Sequence, residues 1–121
     1  MSKYGHYQAQ YYGNKIKFPP ESFLIAGISF YKDNLEGINF KSLLKMNYET
    51  DNKFDSTAIQ IIFNENVIGY VPNKENNKKL CRDNLDEELI VINIKREGGN
   101  YGVRVILKKY FKEDQQNLGI F

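Results

Sequence analysis

The side chains best suited to chemistry stand together in NKFDSTAIQI, residues 52–61. Phe54 places a phenyl ring beside a carboxylate, Asp55, in a stretch whose other residues suit an ordinary polar turn. Glu49 and Asp51 bring two more carboxylates within a few residues. A ring next to a carboxylate can hold a flat ligand bearing a hydroxyl, because the ring stacks while the carboxylate accepts a hydrogen bond. The same three acids could hold Mg²⁺ for phosphodiester chemistry. A plainer reading stands beside both: Asp51 and Asp55 accept loop amides as Asx-turn residues.

Other reaction classes lack their parts. His6 is the single histidine and lies in the N-terminal stretch, so a nucleophile has no base within the folded region. Cys81 is the single cysteine, which leaves zinc short of its ligands and excludes a disulfide within the chain. No glycine-rich phosphate loop joins a strand to a helix. The expectation is a non-enzymatic protein with no metal and no cofactor.

Bulk composition agrees with one small domain. The chain has 121 residues, 41% hydrophobic and 26% charged, enough apolar material for a core of its own. A net charge of +2 is too weak to attract nucleic acid by bulk field, so any such binding rests on local placement. No apolar run approaches the roughly 18 residues of a membrane span. The start, MSKYGHYQAQYYGNK, has no hydrophobic signal core. With the lone cysteine, this favours an intracellular place, cytoplasmic or nucleoid-associated.

Residues 1–22 form a Tyr-, Gln- and Gly-rich arm without a period, read as a tail or as a stacking arm for single strands. From Phe23 the pattern is β. FLIAGISFY, residues 23–31, is a nearly continuous apolar run, with Gly27 marking a bulge or a close approach. Residues 43–49 set Leu44, Met46 and Tyr48 against Leu43, Lys45 and Asn47. TAIQIIF and VIGYV, parted by NEN, read as a hairpin. Pro72 closes the second of these strands, and Asn73 is placed to cap a short helix, NKENNKKLCRD. Lys74, Lys78 and Arg82 fall at helical spacing on one face, either a solvated face or a cationic edge for phosphates. EELIVINIKR and YGVRVILKKY flank a Gly98-Gly99 turn, with Ile90, Ile92 and Ile94 expected on one face. Residues 113–121 read as a tail. The result is a mostly β domain over residues 23–112: a small OB-like or SH3-like antiparallel β-barrel of about six strands with one or two short helices.

Three segments carry a family resemblance. FLIAGISFY is similar to the opening strand of HIRAN domains, which ends in an aromatic pair. NYETDNKFDSTAIQI is similar to their Glu-Pro-x-Asn-Pro-aromatic-Asp-x-Asn-Ala-Ile-x-Val pattern. VIGYVPNKENNKKL is similar to their Ile-Gly-Tyr-Val-Pro and polar helix start. HIRAN domains occur fused to fork-remodelling SWI/SNF-type helicases and as stand-alone bacterial and viral proteins. The resemblance spans residues 23–108.

It implies an OB-like barrel that takes the 3′-hydroxyl end of single-stranded DNA, a link to DNA repair, and a helicase or nuclease as possible protein partner. By matching position, Phe54 stacks on a terminal base or sugar and Asp55 accepts from the 3′-hydroxyl. Phe30 offers a second ring with Tyr31 beside it, Tyr70 faces the backbone, and Lys74 and Lys78 serve phosphates. The chain departs from the pattern at Ser29, Thr50, Lys53, Thr57 and Asn73, which stand where the family has basic residues, prolines or an Asn. The alternative is a protein-interaction barrel without DNA, favoured by the weak charge and by Ser29 and Asn73.

Overall fold

The computed structural model describes residues 10–12 and 15–112. Residues 1–9, which hold His6, and the tail 113–121 lie outside the described residues. Two short strands, β1 (Gln10–Tyr12) and β2 (Lys15–Lys17), pair as a separate hairpin. Then come β3 (Phe23–Leu24), a 3₁₀ segment (Ile28–Leu35), β4 (Leu43–Tyr48), β5 (Ile59–Phe63), β6 (Asn66–Tyr70), α1 (Glu75–Arg82), β7 (Leu89–Glu97), β8 (Asn100–Leu107) and a last 3₁₀ turn (Lys108–Tyr110).

Six strands form one antiparallel sheet in the order β3-β8-β7-β4-β5-β6. The sheet curls until its two edges meet. Ala26, two residues past β3, and Tyr70, the last residue of β6, exchange N–H···O bonds of 2.8 and 2.9 Å. This is the mostly β, six-stranded curled barrel that the alternating runs imply.

Local chemistry explains the turns. Asn64 and Glu65 both have positive φ (55° and 70°), the two-residue geometry whose twist matches a hairpin, and they join β5 to β6. Gly98 and Gly99 (φ 54° and 89°) do the same between β7 and β8. Inside the curl, Leu44, Ile59, Ile61, Ile68, Leu89, Val91, Val103, Val105 and Leu107 are fully buried. In β4 the expected alternation holds, with Leu44 buried and Leu43, Lys45 and Asn47 exposed.

Two expectations are corrected. Ile94 does not share a face with Ile90 and Ile92. A bulge between Val91 and Asn93 shifts the register, so Ile94 joins the inner core while Ile90 and Ile92 pack outside with Ile106 under Phe18, Phe40, Tyr110 and Phe111. FLIAGISFY is not one strand either. Gly27 takes a left-handed conformation (φ 72°), which turns the chain out of the sheet and into the 3₁₀ segment, itself interrupted at Tyr31 (φ −126°, ψ 29°). Ile28 and Leu35 anchor that segment in the core.

Candidate functional site

The loop from 49 to 58 joins β4 to β5 and is closed at its base by Glu49 N–H donating to the Ala58 carbonyl at 2.8 Å. Inside it, Asn52 Oδ1 accepts from the Phe54 N–H at 2.8 Å and the Asp55 N–H at 2.9 Å. Asp55 Oδ1 then accepts from the Thr57 N–H (2.9 Å) and the Thr57 hydroxyl (2.6 Å). Two Asx-type turns in succession therefore fix the backbone on either side of Phe54. The ring itself is held by nothing: Phe54 is 97% exposed.

Asp55 is tied to the helix as well as to its own loop. Lys78 Nζ lies 2.6 Å from Asp55 Oδ2 and 2.6 Å from Thr57 Oγ1. Lys78 is buried, its ammonium turned inward beneath the loop. The Lys78 and Thr57 hydrogen bonds hold the Asp55 carboxyl down at about 2, against an ordinary 3.8. A carboxylate has about four lone-pair sites, and three donors occupy Asp55, so one site remains for a ligand.

A second network adjoins the first. Glu49 Oε1 accepts from Asn52 Nδ2 (2.7 Å) and from the Tyr70 hydroxyl (3.2 Å), and Glu49 Oε2 accepts from Gln60 Nε2 (3.0 Å). Gln60 in turn accepts from Asn47 Nδ2 at 2.8 Å. Asn52 belongs to both networks, so the loop carrying Phe54 is braced against β5 and β6 as well as α1. Burial raises the Tyr70 phenol above its usual range, and the nearby Tyr31 phenol and Glu49 carboxylate add to the effect.

Each expected site residue now has a place. Phe54 through its N–H, Asp55 and Tyr70 belong to one hydrogen-bonded assembly, and Tyr31 is on the 3₁₀ segment. Phe30 is 85% exposed, on the 3₁₀ segment rather than on a strand; that segment packs beside β6. Lys74 is exposed and forms the N-cap of α1 in extended conformation, a place expected for Asn73. Lys78 does not sit on a solvated face with Lys74, because Asp55 and Thr57 draw its ammonium inward. The three acids of the loop do not gather as a ligand set: Glu49 and Asp55 are committed to separate partners, and among the described residues no three His, Cys, Asp or Glu side chains could hold a metal.

Two contributors escaped the sequence reading, the Asn52 pivot and the Gln60 brace, and Glu49, read there as a candidate metal ligand, is instead an acceptor for Asn52, Gln60 and Tyr70. Asn52 alone had a local signal, an Asn two residues before the exposed aromatic. Glu49 and Gln60 act across strands, which no local spacing announces.

No family model matches the chain, and no curated relative does. A protein from Lactobacillus plantarum of known crystal structure resembles it at 14% identity, with a TM-score of 0.48 over 70% of this chain and 88% of that one. No helix among the described residues is long and apolar enough to cross a membrane.

Proposed function

We propose that this chain is a non-enzymatic module of the HIRAN type that binds single-stranded DNA at a 3′-hydroxyl end inside the cell. One observation carries the reading: a phenyl ring 97% exposed on a loop whose backbone is locked on both sides. An exposed ring is unfavourable in water, and the locked backbone beneath it lowers the ordering cost of stacking. The remaining lone pair of Asp55 supplies an acceptor for a terminal hydroxyl, and its low pKa keeps it ionised at any physiological pH. A terminal phosphate would meet that charge and be disfavoured.

The second reading, a protein-interaction barrel with a helicase or nuclease as partner, is favoured by the withdrawal of Lys78, which leaves fewer cations for phosphates. Fluorescence anisotropy with matched oligothymidylates ending in 3′-hydroxyl or 3′-phosphate, at low and moderate salt, separates the two. Preference for the hydroxyl end together with a fall in affinity as salt rises supports the DNA reading. Equal binding of both ends removes end recognition, and no binding at low salt removes DNA altogether.

A further inference from the structure

The curled sheet stops closing one hydrogen-bonded pair short of Pro72. Ala26 and Tyr70 form a hydrogen-bonded pair, so the next such pair, two residues on, would set Leu24 opposite Pro72. Proline has no N–H and cannot return that bond. The chain instead leaves the sheet: Lys74 N–H turns back to the Pro72 carbonyl at 2.7 Å, and α1 begins.

Leu24 is left with its edge open. Ile25 N–H donates to the Val103 carbonyl on β8 at 3.0 Å. Alternation along an antiparallel pair then makes Leu24 and Arg104 the pair without hydrogen bonds, so the Leu24 N–H and C=O point away from β8 into the seam. Its side chain is 49% exposed. The seam widens into a groove of about 680 Å³, bounded by β3 on one wall and by Pro72, Lys74 and the first turn of α1 on the other, with Arg104 at its side. The Glu75, Asn76 and Asn77 amides have no carbonyl a turn earlier in the helix to receive them, since the first helical bond runs from Lys78 N–H to the Lys74 carbonyl. Of the two lining cations, the Arg104 guanidinium donates to Ser22 Oγ at 3.1 Å and stacks 4.7 Å over the Phe18 ring, which leaves Lys74; Glu75 is the one acid of the lining.

We infer that this seam is a strand-addition site for an extended peptide carrying an acidic side chain. The Leu24 N–H and C=O ask for backbone, which a peptide supplies and a nucleotide chain does not. The Lys74 ammonium and the free α1 amides ask for a carboxylate on the residue beside the one that pairs with Leu24. This site shares Lys74 with the DNA reading, but neither Phe54 nor Asp55 lines it.

The test uses the full chain, labelled with ¹⁵N, and three probes: the blocked peptide Val-Thr-Val-Asp-Val-Thr, the same peptide with Lys for Asp, and oligothymidylate. The Asp peptide should shift the Leu24 amide and those of residues 74–77, with the Phe54 amide unmoved. The Lys peptide should bind about tenfold more weakly, and Lys74→Glu should weaken the Asp peptide by a similar factor, since each change removes a charge-assisted contact. Lys74 is exposed, so the variant stays folded. Equal binding of both peptides, or no shift at Leu24 at millimolar peptide, overturns the inference. Shifts at Leu24 and residues 74–77 with oligothymidylate but not with peptide would assign the groove to nucleic acid and overturn it too.

Discussion

Lys78 Nζ and Asp55 Oδ2 stand 2.6 Å apart across 23 residues of sequence, so the helix and the aromatic loop form one unit. The lysine is almost fully buried while the carboxylate is 38% exposed, so the pair has one dry end and one wet end. Its worth follows pH. The carboxyl sits at about 2 in the fold and at 3.8 without the fold, so the folded state favours the ionised form. The pair contributes in full above pH 3.8, and that contribution disappears as pH falls from 3.8 through 2. Thermal midpoints of wild type and Asp55→Asn should therefore converge over that interval and stay separated above it. A constant separation down to pH 2 would show that the contribution does not come from the ionised carboxylate.

Phe54→Ala should separate binding from stability. The ring touches almost nothing, so the unfolding free energy from urea titration should stay within about 0.5 kcal/mol of wild type. Loss of one stacking ring should weaken single-stranded DNA by about 1–3 kcal/mol, roughly 5- to 150-fold. Anisotropy and urea titration on the same preparations measure both. Unchanged affinity would remove Phe54 from the binding surface.

Gly69→Ala should damage the seam. A Cβ there would collide with the Ile25 side chain and lie 2.6 Å from the Ala26 carbonyl oxygen. The carbonyl belongs to the hydrogen bond that joins the two sheet edges, so it cannot yield without straining that bond, and the Ile25 side chain is buried in the core. The expected loss is about 1–3 kcal/mol by urea unfolding. A variant as stable as wild type would mean that the edges separate freely.

Cys81 should be inert in the native protein. Burial pushes its thiol up to about 12 from 9.0, which cuts the thiolate fraction by about a thousandfold. Iodoacetamide at pH 8 should label it only after urea unfolds the chain, as mass spectrometry would show. Fast native labelling would place Cys81 on the surface.

The strands were legible wherever one face alone is buried, because alternation then has a single meaning. Leu44, Met46 and Tyr48 in β4 show this, and the NEN spacer and the Gly98-Gly99 pair marked the two tight hairpins. The apolar run at 23–31 was misread because hydrophobicity does not register the left-handed turn at Gly27. Ile94 was misplaced because a single extra residue inverts every face beyond it. Phe54 and Asp55 stood out as a pair of unusual neighbours. The partner that fixes them did not, since Lys78 looks identical in sequence to a solvated helix lysine until Asp55 arrives from the other side of the sheet.

The Ala26–Tyr70 pair has a dynamic consequence. The barrel is shut there by two hydrogen bonds, whereas β7 and β8 run together from Leu89 to Leu107. A break at the seam leaves every other ladder standing, so the molecule can gape there at far less than the energy of global unfolding. Amide protons of Ala26 and Tyr70 would then exchange with solvent through that local breathing, on a clock set by the seam rather than by the core. The same hinge line borders the Glu49–Tyr70 bond on one side and the Leu24 groove on the other, so a ligand clamped at either place would slow the breathing felt at both.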